Sequence, residues 1–144
     1  MCIRDSAYTS DQNLLDNFHK KPRRGRSAPN NMVLTTTGAA KAVSKVIPHL
    51  GGKLTGNAVR VPTPNVSLAI LNLCVDKITD VYEVNTLLKE ASLGGPLVEQ
   101  IHYSTSTEYV SSQAVGMVST SVLDAPSTIV SKDGKTITLS LIHI

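Results

Sequence analysis

The sequence predicts an α+β fold with a mostly antiparallel sheet and segregated helices, on three observations. Residues 67–76 alternate side chains as a strand does, and residues 80–91 repeat apolar positions at helical spacing. Asp133-Gly134 separates two short β-rich runs, which marks a hairpin turn. With 144 residues, the chain is long enough for one domain with a real core.

Taken in order, residues 7–31 read AYTSDQNLLDNFHKKPRRGRSAPNN, a polar stretch with Pro22, Gly25 and Pro29. A loop this long inside a domain is expected to be ordered and functional. Its basic residues gather between His19 and Arg26, as solvated charge runs do; nucleic-acid contact is the sharper alternative, and no aromatics interleave the run to favour it. A short helix over residues 37–46 follows, stopped by Pro48, and Gly51-Gly52 makes a turn. Residues 54–61 read as a strand closed by Pro62 and Pro64, which cannot donate to a ladder.

The strand at 67–76 sets Ala69, Leu71, Leu73 and Val75 on one apolar face. Leu68, Ile70, Asn72, Cys74 and Asp76 form a mixed face, with Cys74 expected as a packing residue. Thr79 or Asp80 starts the second helix, where Glu83 completes a capping-box spacing with Asp80; Gly94-Gly95-Pro96 ends it. Short strands are expected at 101–103, 109–112, 115–121, 127–131 and 136–139.

Composition narrows the function classes. Charged residues make up 17% and the formal net charge is +3, which is neither a disordered tail nor a strongly basic nucleic-acid binder. Aromatics are 3% with no Trp, too few for a base-stacking platform. The apolar run from Leu68 to Val75 is too short to span a bilayer, so no membrane role is expected. Two distant cysteines give neither a disulfide framework nor a metal motif, and a soluble intracellular protein is the expectation. His19, His49 and His102 are isolated.

The two ends share an origin. Met1-Cys2-Ile3-Arg4-Asp5-Ser6 is encoded by ATG-TGT-ATA-AGA-GAC-AG plus one base. The reverse complement reads CTG-TCT-CTT-ATA-CAC-AT, which translates as the residues from Leu139 to Ile144. Inverted copies of one DNA word at both ends indicate a sequencing-library adaptor. Residues 1–6 and 140–144 are therefore expected to be adaptor-derived and non-native, leaving 7–139 as a fragment cut at both ends.

One stretch carries candidate chemistry. Thr37-Gly38 opens the Ala-rich helix, where free N–H groups and the dipole favour an anion. Arg60 stands among valines in a strand, where burial needs an anionic partner. Together they read as two sides of a phosphate site. The plainer reading is that Thr37 caps the helix and Arg60 pairs with a carboxylate.

A resemblance bears on that choice. YTSDQNLLDNFHKKPRRGRSA, TTTGAAKAVSKVIPHLGGKLTGNAVRVPTPNVSLA and VLDAPSTIVSKDGK resemble, in that order, the catalytic domain of phosphorylating glyceraldehyde-3-phosphate dehydrogenase, over residues 7–139. The resemblance implies a largely antiparallel sheet with helices on one face, in a cytoplasmic homotetramer. It also implies a cysteine nucleophile and oxidation of glyceraldehyde 3-phosphate by NAD, or NADP, with phosphorylation to 1,3-bisphosphoglycerate. Carried over position by position, Thr9 resembles the threonine that binds the substrate phosphate. Thr37 and Gly38 resemble the inorganic-phosphate site, Arg60 the arginine between both anions, and Asp11 a cofactor-binding residue.

Residues 7–30 resemble the family's S-shaped loop at the tetramer core, a home for Arg23, Arg24 and Arg26 in subunit packing. The sequence departs from the family in lacking the catalytic cysteine. It also has Ser6 where the histidine is expected, Asn17-Phe18 for Leu-Pro, and Gln113-Ala114 for an Asp-aromatic pair. The fragment is thus expected to be inactive alone. The alternatives are the related erythrose-4-phosphate dehydrogenase, and a non-catalytic protein that binds RNA or a partner through its basic loop.

Overall fold

A computed structural model describes residues 2–144; the side chains of residues 2–6 and of Ala40 lie outside the described set, and with them the side-chain expectations for Cys2 and Ser6. The chain forms two compact units, Met1–Ser67 and Leu68–Ile144.

In the first unit, β1 (Cys2–Ala7), β2 (Val33–Thr36) and β3 (Gly56–Val61) stand in the order β2-β3-β1. β2 is antiparallel to β3, with Val33 opposite Arg60 and Thr36 opposite Asn57. β1 runs parallel to β3, with Ala7 opposite Val61. The long loop between β1 and β2 is ordered by its own hydrogen bonds. The Asn13 N–H donates to the Arg24 carbonyl at 3.1 Å, Asn17 N–H to Gly25 O at 2.8 Å, and Ala28 N–H to Asn13 O at 2.9 Å. Pro22 and Pro29 each sit in the first turn of a short 3₁₀ helix, where a missing N–H is tolerated.

The helix α1 (Ala39–Val46) follows β2 and stops before Pro48, whose ring cannot continue it. Gly52 takes φ +75° in the turn that leads to β3.

The second unit holds β4 (Ser67–Cys74), α2 (Val81–Leu93), β5 (Ile101–Ser104), β6 (Ser121–Asp124), β7 (Ile129–Val130) and β8 (Thr136–His143). Their order is β4-β8-β6-β5, with β7 also beside β8. β6 and β7 are antiparallel to β8, while β5 and β6 are parallel. The α+β expectation holds, and the ladders are mixed: hairpin logic misses the two parallel pairs, each of which needs a crossover.

Leu123, 1% exposed, packs with Val84, Ile137 and Leu139 at the centre of this unit. Leu71, Leu73 and Val75 lean on the same cluster, so the apolar face expected of β4 is the inner one. Cys74 lies on the other face at the end of β4 and is exposed, which corrects the packing role expected of it. Two expected strands are also absent. Residues 111–114 wind into a 3₁₀ turn that buries Ala114 completely, and residues 115–120 run without ladder bonds until β6 begins at Ser121. β-branched composition alone misleads there, because strand propensity is realised only against a pleated neighbour, and among the described residues these positions join no ladder.

The caps of α2 match the sequence in part. Asp80 accepts the Glu83 N–H at 2.8 Å, but Glu83 turns to Lys77 and Thr79 instead of closing the box. Asp133-Gly134 makes its turn with Gly134 at φ +69°. A Cβ at Gly134 would stand 2.8 Å from the Thr79 carbonyl, so this close approach excludes other residues.

Candidate functional site

The candidate residues all fall in the first unit. Thr37 precedes α1, and its Oγ1 accepts the Ala39 N–H at 3.1 Å, which satisfies one of the donors the helix's first turn leaves unpaired. Capping does not exhaust this hydroxyl, since the oxygen accepts while its own hydrogen remains to be donated. Gly38 is exposed, and no atom lies within 4 Å of where a Cβ would stand, so its backbone is open to an approaching group.

Arg60 is half-buried in β3, and its Nη1 donates to the Ala7 carbonyl at 3.1 Å. The ladder puts Arg60 opposite Val33, four positions before Thr37. At strand rise, that is about 13 Å along the chain. The arginine therefore stands at the Ala7 end, two residues before Thr9, while Thr37 and Gly38 lie beyond the other end of β2. The guanidinium of Arg60 is thereby anchored at the Ala7 carbonyl.

Thr9 is exposed, with its main chain tied to Gln12 and its hydroxyl without a hydrogen bond among the described residues. Asp11 is engaged: its carboxylate meets Arg24 and lies 3.5 Å from His19 Nε2. Arg24 continues to Thr35 Oγ1 at 2.7 Å, which links the loop to β2. The Asp11 carboxylate is half-exposed, and beside its guanidinium partner it keeps lone pairs that could accept a further hydroxyl donor.

Of the other loop arginines, Arg26 lies 3.2 Å from Asp16. The Asp16 carboxyl is held below the usual carboxylate range, first by the Ser27 N–H and then by Arg26. Arg23 has no side-chain partner among the described residues, and it lines a cleft of about 340 Å³ with Leu34, Thr35, Thr36 and Asn57. Phe18, Leu15 and Met32 are strongly exposed on the same loop region.

Sequence reasoning missed Arg24 as a strut and Gln12 as a buried group. The available signal for Gln12 was the Thr-x-x-Gln spacing from Thr9. Val66 was also missed: it sits at φ +60°, a strained conformation for a β-branched residue, and its carbonyl accepts the Ala7 N–H.

A match to the family described as glyceraldehyde 3-phosphate dehydrogenase, C-terminal domain, spans residues 3–140. The chain belongs to this family of oxidoreductases. It is 56% identical over 123 residues to a glyceraldehyde-3-phosphate dehydrogenase-like protein of Pseudomonas aeruginosa, covering 85% of this chain and 27% of that protein. It is 51% identical over 124 residues to glyceraldehyde-3-phosphate dehydrogenase 2 of Trichormus variabilis, and 50% identical to the Priestia megaterium glyceraldehyde-3-phosphate dehydrogenase. Each of those two comparisons covers 86% of this chain and 36% of the relative. The chain therefore spans about a third of the length of the curated relatives it matches.

Proposed function

We propose that the chain supplies the phosphate-holding part of a phosphorylating glyceraldehyde-3-phosphate dehydrogenase. The parent enzyme would be a cytoplasmic homotetramer of glycolysis or gluconeogenesis. Family membership across residues 3–140 carries this reading. In it, Thr9 holds the phosphate of glyceraldehyde 3-phosphate, Thr37 and the Gly38 N–H hold inorganic phosphate, and Arg60 lies between the two anions. Arg60 neutralises phosphate charge with directional N–H donors, which a lysine point charge would supply less specifically. NAD or NADP would accept the hydride, held mainly by parts of the parent outside this chain. Residues 7–30 would form the subunit-facing loop, and their exposed Leu15 and Phe18 agree with a covered position in an assembly. Residues 1–6 and 140–144 would be adaptor-coded.

In this reading the nucleophilic cysteine and basic histidine belong to the parent and not to residues 7–139. The purified chain is then expected to bind phosphate but to form no NADH from glyceraldehyde 3-phosphate, NAD and phosphate, followed by absorbance at 340 nm. Sustained NADH formation would refute the division of labour. The RNA-binding alternative is less favoured, because Arg24 and Arg26 already face carboxylates of their own loop.

A further inference from the structure

Thr9-Ser10-Asp11-Gln12 has the Thr-x-x-Gln spacing of a capping box, yet no helix follows it. Gln12 Oε1 accepts the Thr9 N–H at 3.3 Å, and the Thr9 carbonyl accepts the Gln12 N–H at 2.9 Å. In a true capping box the threonine hydroxyl would take that second donor. Here the carbonyl takes it, so the hydroxyl is released and Thr9 stays exposed.

Gln12 itself is 7% exposed, and its Nε2 has no hydrogen-bond partner among the described residues. A side chain retained only to fill space would be apolar, because a buried amide donor without an acceptor opposes folding. The Oε1 contact fixes which end of the amide faces Thr9, and the unpaired donor is the consequence.

We infer that Gln12 is a positioning residue of the anion site: it occupies both main-chain polar groups of Thr9 and so presents the Thr9 hydroxyl to a phosphate oxygen. The inference rests on the reading of Thr9 as a phosphate-binding residue. A threonine held at both main-chain groups meets the anion without first losing backbone freedom, which strengthens binding with no new contact. The Gln12 Oε1 acceptor on the Thr9 N–H is what separates this arrangement from an ordinary turn, which the main-chain bond alone would close.

The test is a titration of the ¹⁵N-labelled 144-residue chain with a phosphomonoester, glycerol 3-phosphate, read at the Thr9 amide, with thermal midpoints measured alongside. Gln12→Met keeps length without the acceptor, and Gln12→Asn keeps the amide without the reach. Each should raise the dissociation constant about fivefold, the equivalent of one ordinary hydrogen bond. Gln12→Met should keep or raise the thermal midpoint, since the unpaired donor is gone. Thr9→Val should also weaken binding.

If Thr9→Val weakens binding while both Gln12 variants bind as the wild type does, the inference fails alone. Weakening that merely tracks a fall in the thermal midpoint assigns Gln12 a structural role and also overturns it. If the wild type shows no saturable shift, or Thr9→Val changes nothing, the Thr9 reading fails and the inference with it. Should Gln12→Met not fold, Gln12→Asn decides the matter by the same criteria.

Discussion

Gly25 shows how one residue can hold a long loop in shape. It is buried, and a Cβ there would lie 2.3 Å from the Asn17 carbonyl oxygen, the same group that accepts from Asn13 Nδ2 at 3.1 Å. Its own carbonyl meanwhile accepts the Asn17 N–H. A side chain would push these two strands of the loop apart. Gly25→Ala is expected to destabilise the chain by about 1–3 kcal/mol, in the range of overpacked sites. Chemical denaturation checks this, and an unchanged midpoint would mean that the loop can yield. The sequence offers Gly25 as a turn signal only; the steric demand comes from a carbonyl eight residues away.

At the scale of elements, α2 is the best case of local coding. Its cap, its apolar spacing and its Gly-Gly-Pro stop are all readable in sequence, and the helix runs Val81–Leu93 as those signals require. Replacing Asp80 with Ala leaves the Glu83 N–H without its 2.8 Å acceptor. A loss of about 1 kcal/mol is expected, measurable as a fall in thermal midpoint, whereas Asp80→Asn should retain most of the stability. Helix α2 is also tied to the turn after β6: Asn85 Nδ2 donates to the Ala125 carbonyl at 3.2 Å, and Thr128 Oγ1 donates to Asn85 Oδ1 at 2.8 Å. No spacing rule announces that tie, because its partners are forty residues apart or more. The strands expected at 109–112 and 115–121 fail for a related reason. Strand propensity measures fit to a pleated neighbour, and those residues join no ladder among the described residues.

Across the whole molecule, electrostatics are distributed as small local pairs. Asp16 in the first unit is held below the ordinary carboxylate range by Ser27 and Arg26. In the second unit Glu83 is lowered by Lys77 and then Thr79, and Asp133 by the Ser131 hydroxyl and then the Lys135 N–H. A carboxyl whose folded pKa is depressed contributes stability that is complete above its unfolded value and is lost as pH falls through the folded one. Thermal midpoints should therefore stay level from neutral pH down to about pH 5 and decline below about pH 4. Asp16→Asn and Glu83→Gln should each flatten that acid limb. A decline that began near pH 6 would contradict this account.

The sequence by itself determined the family, the α+β class, the β4 pattern, the α2 boundaries and the Asp133-Gly134 turn. Each of these depends on a period or a cap that neighbouring residues complete. Tertiary structure alone decided the parallel pairing of β1 with β3 and of β5 with β6, and the exposure of Cys74. It also turned Asp11 to Arg24 and buried Gln12 behind Thr9. These outcomes depend on which distant groups meet, and the free energy of such a meeting resides in no single stretch of chain. Thr37, Gly38 and Arg60 stand out in sequence as residues suited to anions. Their division between the two ends of β2 exists only once the ladder sets Arg60 opposite Val33.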